Sequence, residues 1–146
     1  MSLTGMKHHF ENHNLVTEGR AQLIDLTDDL TAAVGRGGIA NGMALVYSPH
    51  TTCAVVINEN EQGIADDFAA ALEQLAPASG GYRHDNREEE HSPNGHSHVL
   101  AGLLASSSQT IPIVDGALQL GRYQRVFFCE LDSSRARKVF IQVIGE

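Results

Sequence analysis

Two continuous apolar runs rich in β-formers, MALVY at 43–47 and CAVVI at 53–57, are separated only by the five residues SPHTT. Runs of that length and composition read as buried strands. Five residues cannot carry a parallel crossover, which takes about a dozen or more, so the link predicts antiparallel strands. The same reading extends along the chain. A first strand is expected at 8–12 and a second over NLVTEGRAQLIDL at 14–26, with three more at 110–114, 125–131 and 138–144. Asp115-Gly116 is a strong hairpin signal between the first two of these last three, and DSSRAR joins the last two.

Helices are fewer. Thr27 is a candidate N-cap, with Asp28 and Asp29 in the first turn, Leu30 and Val34 on one face, and glycines from 35 to 38 as the stop. In EQGIADDFAAALEQLAP, Ile64, Phe68, Leu72 and Leu75 recur at intervals of four, four and three, with Asn60 as the expected cap and Pro77 as the end. A third, short helix is expected over SHVLAGLLAS, weakened by Gly102. Strands outnumber helices, which predicts an α+β fold: a mostly antiparallel, β-sandwich-like sheet with two or three helices.

At 146 residues, 42% of them hydrophobic and 19% charged, residues 1–146 suit a single domain. A formal charge of −8 repels phosphate backbones, so no nucleic-acid partner is expected. No apolar run approaches the roughly 20 residues of a membrane span, and MSLTGMKHHF lacks a secretory h-region. The expectation is a cytoplasmic protein without a membrane partner. Cys53 and Cys129 sit in apolar runs without short spacing and read as reduced, buried thiols.

The polar stretch HDNREEEHSPNGHSH at 84–98 carries four histidines and almost nothing apolar, so it is either a solvated loop or a site assembled by the fold. His50 stands between the two central strands, and Asn58, Glu59 and Asn60 follow the second. Together with His84-Asp85 and His96-x-His98, these supply imidazoles and carboxylates for a divalent metal or for acid and base work near neutral pH. The spacings match no standard zinc pattern. Asp66 and Asp67 read as an exposed helix face, Asp66 being able to turn towards His50, while His8, His9 and His13 read as strand or frayed-end residues. Five of the ten basic residues, Arg122, Arg125, Arg135, Arg137 and Lys138, fall within seventeen positions, as charge balance for neighbouring acids or as an anion pocket.

Taken in order, HTTCAVVINEN at 50–60, YRHD at 82–85, NGHSHVLAGLLASS and IPIVDGALQLGRYQRVFFCELD resemble the YjbQ-like family, described as having secondary thiamine-phosphate synthase activity. The resemblance covers nearly the whole chain and is strongest over 43–146. One departure is visible: the family pattern of Gly, Ser or Thr, Trp, Gln is here Gly121, Arg122, Tyr123, Gln124.

The resemblance implies a homotrimer of α+β subunits with sites near subunit boundaries. It places the family motif on His50, Thr51, Asn58, Glu59, His84, Asp85 and His98, and leaves His91 and His96 outside it. The polar stretch then becomes two ligand-bearing ends joined by a solvated REEE bridge. The implied reaction joins a pyrimidine diphosphate to a thiazole phosphate. In that reading His50, Glu59, His84, Asp85 and His98 are catalytic, and Thr51, Asn58, Arg122, Gln124 and Arg137 bind a small phosphorylated substrate. A divalent ion, Mg or Zn, is held through His50, His84 and His98 or through the carboxylates of Glu59 and Asp85. The competing expectation is a non-catalytic trimer that binds a metal ion or small anion through the same histidines.

Overall fold

The computed structural model describes residues 5–86 and 92–146. His91 and the REEE bridge lie outside these residues. Among the described residues the order is β1 (Lys7–Val16), β2 (Leu23–Asp25), α1 (Thr27–Gly37), β3 (Gly42–Tyr47), β4 (Cys53–Asn58), α2 (Gln62–Leu75), a 3-10 turn (Arg83–Asn86), α3 (Gly95–Leu104), β5 (Ser108–Val114), β6 (Ala117–Leu118), β7 (Arg125–Glu130) and β8 (Ala136–Gly145). All strand pairings are antiparallel. They form a five-stranded sheet in the order β1-β8-β3-β5-β6 and a three-stranded sheet in the order β2-β7-β4.

The expected α+β sandwich is therefore present, with its links used differently from the sequence reading. β3 and β4 do not pair: residues 48–52 carry the chain from the large sheet to the small one. Asp115 and Gly116 do turn a hairpin, with φ of 50° and 75°, the left-handed pair that a tight two-residue turn requires. That hairpin joins β5 to the short β6, however, and β7 belongs to the other sheet. The strand expected at 14–26 is divided, because the chain leaves the large sheet at Thr17 and re-enters the small one at Leu23.

Strand alternation explains the layers. Ala44 and Val46 of β3, Ile111 and Ile113 of β5, and Val139, Ile141 and Val143 of β8 face Cys53 and Val55 of β4 and Val126 and Phe128 of β7, forming the main core with Leu30 and Val34 of α1. The other face of the small sheet, through Ala54, Cys129 and Leu131, is covered by Leu72 of α2 and Leu100 of α3. Beyond the core, β1 turns Glu11 towards α1, where Arg36 binds both carboxylate oxygens at 2.5 and 2.8 Å, flanked by His9 and His13. The Arg36 guanidinium holds the Glu11 carboxyl far below its ordinary range.

Two helix starts differ from expectation. Thr27 is the first helical residue rather than the cap; its amide donates to Asp25 Oδ1 at 2.9 Å, while its hydroxyl accepts from the Val126 amide. At α2 the cap is Glu61, not Asn60: its carboxylate accepts from the Gly63 and Ile64 amides at 2.8 and 2.9 Å. Both places use a carboxylate where amide donors are left over by the first turn. No helix among the described residues is long and apolar enough to cross a membrane.

Candidate functional site

The residues that link the sheets build the site. Past Tyr47, β8 has no strand neighbour on the β3 side among the described residues, and the His50 ring takes that place: the Lys138 amide donates to His50 Nε2 at 2.9 Å. An amide can donate only to an unprotonated ring nitrogen, so the imidazole is neutral with its proton on Nδ1. Burial and the nearby Arg137 guanidinium also push the His50 pKa below its ordinary value.

Facing this link is α3, fixed by three contacts from other segments. Asp85 Oδ1 accepts from the Gly95 amide at 2.8 Å, Asn94 Nδ2 donates to the buried Asp132 at 3.0 Å, and Ser97 Oγ donates to the Leu131 carbonyl at 2.7 Å. Gly95 is required by this closeness: a Cβ there would lie 2.4 Å from Tyr82 Cβ. The result is that His98 lines a hollow of about 520 Å³ together with Tyr47, Ser48, His50, Thr51, Cys53 and the end of α3. The His84 ring lies against His98, with centroids 4.5 Å apart.

Under the hollow runs a buried polar network. Glu130, fully buried, accepts from Arg137 Nε and Nη2 at 2.7 and 2.6 Å, from Thr17 Oγ1 at 2.8 Å and from the Asp132 amide at 3.0 Å. Arg137 also donates to Thr52 Oγ1 at 3.0 Å. Arg137 is thus a structural partner of Glu130, and its expected grip on phosphate gives way to that pairing. Burial pushes the Cys53 and Cys129 thiols up to about 12, so both are protonated, as expected for buried reduced cysteines.

The remaining motif residues stand elsewhere. Asn58 and Glu59 lie at the far end of β4 from His50, the six-residue strand that ends at Asn58 spanning about 20 Å. Glu59 lines a separate hollow of about 350 Å³ with Arg20, Asn60, Gln62 and Asp66. Asp66 therefore turns away from His50, accepting from Gln62 Nε2. Asn58 is opposite Arg125 in the small sheet, which puts the preceding Arg122 and Gln124 towards this end as well. Gln124 closes its own turn by accepting from the Gly121 amide at 2.7 Å, and the Arg122 guanidinium sits 5.2 Å from the Tyr123 ring centroid. Arg125 is paired to Asp25 and Asp28, and Arg135 to Asp132.

Among the described residues no group of three or more His, Cys, Asp or Glu is placed to hold a metal ion, and His50, His84 and His98 are not gathered into one. Residues that the sequence reading passed over include Glu130, Asp132 and Ser48. Glu130 carried a signal, a lone carboxylate in the apolar run VFFCEL, where a charge persists only if it is paired. Ser48 carried none.

A family model described as UPF0047 protein YjbQ-like matches residues 11–146. The chain belongs to this YjbQ-like family. Within it, a UPF0047 protein of Methanothermobacter thermautotrophicus is 38% identical over 132 residues, covering 90% of this chain and 89% of that one. The UPF0047 protein YugU of Bacillus subtilis is 31% identical over 131 residues, covering 88% and 94%. Among solved structures, a YbjQ-like protein of unknown function from Sulfolobus solfataricus superposes with a TM-score of 0.87 at 29% identity, covering 97% of this chain and 99% of that one. A YjbQ/UPF0047 family protein from Clostridium acetobutylicum gives 0.82 at 36%, covering 91% and 98%. The YjbQ-like fold and the α+β architecture expected from the sequence are the ones found.

Proposed function

We propose that this YjbQ-like protein is a small-molecule transferase of the thiamine-phosphate synthase type, acting on a phosphorylated substrate, with each site completed between copies of a homotrimer. The observation that carries this reading is the division of the motif between the two ends of β4: His50, Thr51 and His98 at one, Asn58, Glu59 and Arg122 towards the other. Two different ends that must meet describe a head-to-tail contact, which closes into a ring when the rotation between copies is a whole fraction of a turn. The outer face of the large sheet supports self-association. Phe10, Phe140 and Tyr47 form a row across three strands, with centroids 5.6 and 6.3 Å apart, that reaches the hollow at Tyr47. The outward positions of β1, β8, β3 and β5 carry no Asp or Glu, so two copies of a −8 chain meet there without opposing carboxylates.

In the reaction a carbon–nitrogen bond forms to the thiazole nitrogen as the carbon–oxygen bond to diphosphate breaks. Charge grows on the leaving diphosphate, and donors placed there lower the barrier. Neutral His50, through its Nδ1–H, and His98, with His84 beside it, can hold and orient the pyrimidine ring, and exposed Arg122 from the adjacent copy can hold the leaving diphosphate. Asp85 is committed through Oδ1 to the start of α3, so it acts chiefly by positioning His98.

Subunit complementation tests the reading. Neither His98→Ala nor Glu59→Gln protein should turn over the two thiamine precursors with Mg²⁺, and co-expressed mixtures should regain activity, since some boundaries then hold two intact halves. Light scattering should show three copies per particle. Full activity in either single variant, or a monomer at micromolar concentration, would sink the shared-site proposal. A trimer that retains precursor binding without turnover would favour a non-catalytic binder.

A further inference from the structure

The hollow holds an uncompensated group. Ser48 continues the inward parity of Ala44 and Val46 at the end of β3, is 1% exposed, and its Oγ has no hydrogen-bond partner among the described residues. A buried hydroxyl left unpaired is unfavourable, and such a group in a native fold calls for an explanation. Its neighbours are satisfied: the Ser48 amide donates to the Ser107 carbonyl, and the Ser106 hydroxyl donates to the Val55 carbonyl.

The charge of the surroundings is as informative. Among the described residues lining the hollow none is Asp, Glu, Lys or Arg. Arg137 lies close by but is closed off by Glu130 and Thr52. The Cys53 thiol stays protonated, at about 12. The wall opposite is the C-terminal end of α3, whose partial negative charge disfavours an anion.

We infer that this hollow receives the uncharged, hydrogen-bonding ring of the substrate, with the Ser48 hydroxyl as one of its partners, and that phosphate groups stay outside it. This rests on the hollow being a substrate site, and it deepens that reading by dividing the substrate: the neutral ring enters between the sheets, and the anionic part remains for groups of the second half-site. The volume of about 520 Å³ is sufficient for a ring with room for a second group.

The test uses the intact protein and two probes, cytosine as a neutral hydrogen-bonding ring and inorganic diphosphate as the anion. Binding is followed by calorimetry and by the imidazole NMR signals of His50 and His98. Cytosine should shift both sets of signals, and diphosphate should not displace it. Ser48→Ala should weaken cytosine about tenfold. The same variant should melt higher by about 2–4 °C, because an unpaired buried hydroxyl has been removed. Ser48→Cys serves as a second variant of similar volume and should also weaken cytosine.

Diphosphate competing with cytosine, or undiminished cytosine affinity in both Ser48 variants, would overturn the inference. So would a lower melting temperature for Ser48→Ala, which would mean that the hydroxyl was partnered. Cytosine binding without any transferase turnover would leave the inference standing and remove the reaction instead.

Discussion

The Lys138 amide donates to the His50 ring where β3 has already ended, so one imidazole both closes the unpaired side of β8 and walls the hollow. This relationship ties the geometry of the site to the stability of the large sheet. His50→Ala should therefore lower stability by about 1 kcal/mol, the net worth of one hydrogen bond, read as a reduced urea midpoint at unchanged slope. His50→Gln, which retains an acceptor, should recover part of the loss. Identical midpoints for Ala and wild type would mean that water serves the amide equally well.

Arg137 gives a prediction of the opposite kind from the one its position in an arginine-rich turn suggests. Arg137→Met leaves Glu130 buried without its cation and should cost about 3–5 kcal/mol. Adding Glu130→Leu should restore much of that, though not all, because Thr17 and the Asp132 amide also lose their acceptor. Denaturation of the two single variants and the double variant measures the coupling. A stable Arg137→Met protein that had lost only phosphate affinity would return Arg137 to a binding role.

Acid should weaken the fold through two histidines. Burial comes first in lowering both His50 and His96 below the ordinary 6.5, with Arg137 and Arg20 respectively adding to it, and His96 Nδ1 is buried without a partner among the described residues. A group that is harder to protonate when folded binds fewer protons than in the unfolded chain. Its contribution is fully present above pH 6.5 and is lost as pH falls from there through the lower folded value. The midpoint of unfolding should drop across this interval, and His96→Gln should flatten part of the slope. An unchanged slope in that variant would show that His96 does not carry it.

The thiols should be inert while the protein is folded. Cys53 and Cys129 are buried and held protonated at about 12, although Cys53 borders the hollow. At pH 8 an aromatic disulfide reagent should release almost no product until denaturant is added, and then two equivalents. Rapid reaction of one thiol in the native protein would place Cys53 in open contact with solvent.

The legible part of the molecule was its local chemistry. MALVY and CAVVI announced buried strands, the spacing of Ile64, Phe68 and Leu72 announced α2, and Asp115-Gly116 announced a turn, because each signal lies within a few residues of chain. The first two helix caps each stand one residue from the expected position, since the carboxylates of Asp25 and Glu61 take up first-turn amides that a Thr27 or Asn60 cap would have served. The motif series, strongest over 43–146, also pointed to the YjbQ-like family, whose model matches residues 11–146.

What lay beyond the sequence was which sheet each strand joins. Five residues from Ser48 to Thr52 suffice equally for a hairpin and for a step between sheets, and the step is the one that puts Val46 and Val55 in the single core shared by the two sheets. That choice places His50 at one end of β4 and Glu59 at the other, encloses Arg137 with Glu130, and leaves Ser48 facing a hollow. The chain's own pattern determined the elements and the family, since those depend on near neighbours along the backbone. The placement of the site was decided by contacts between segments some forty to ninety residues apart, which exist only after the sheets have closed on one another.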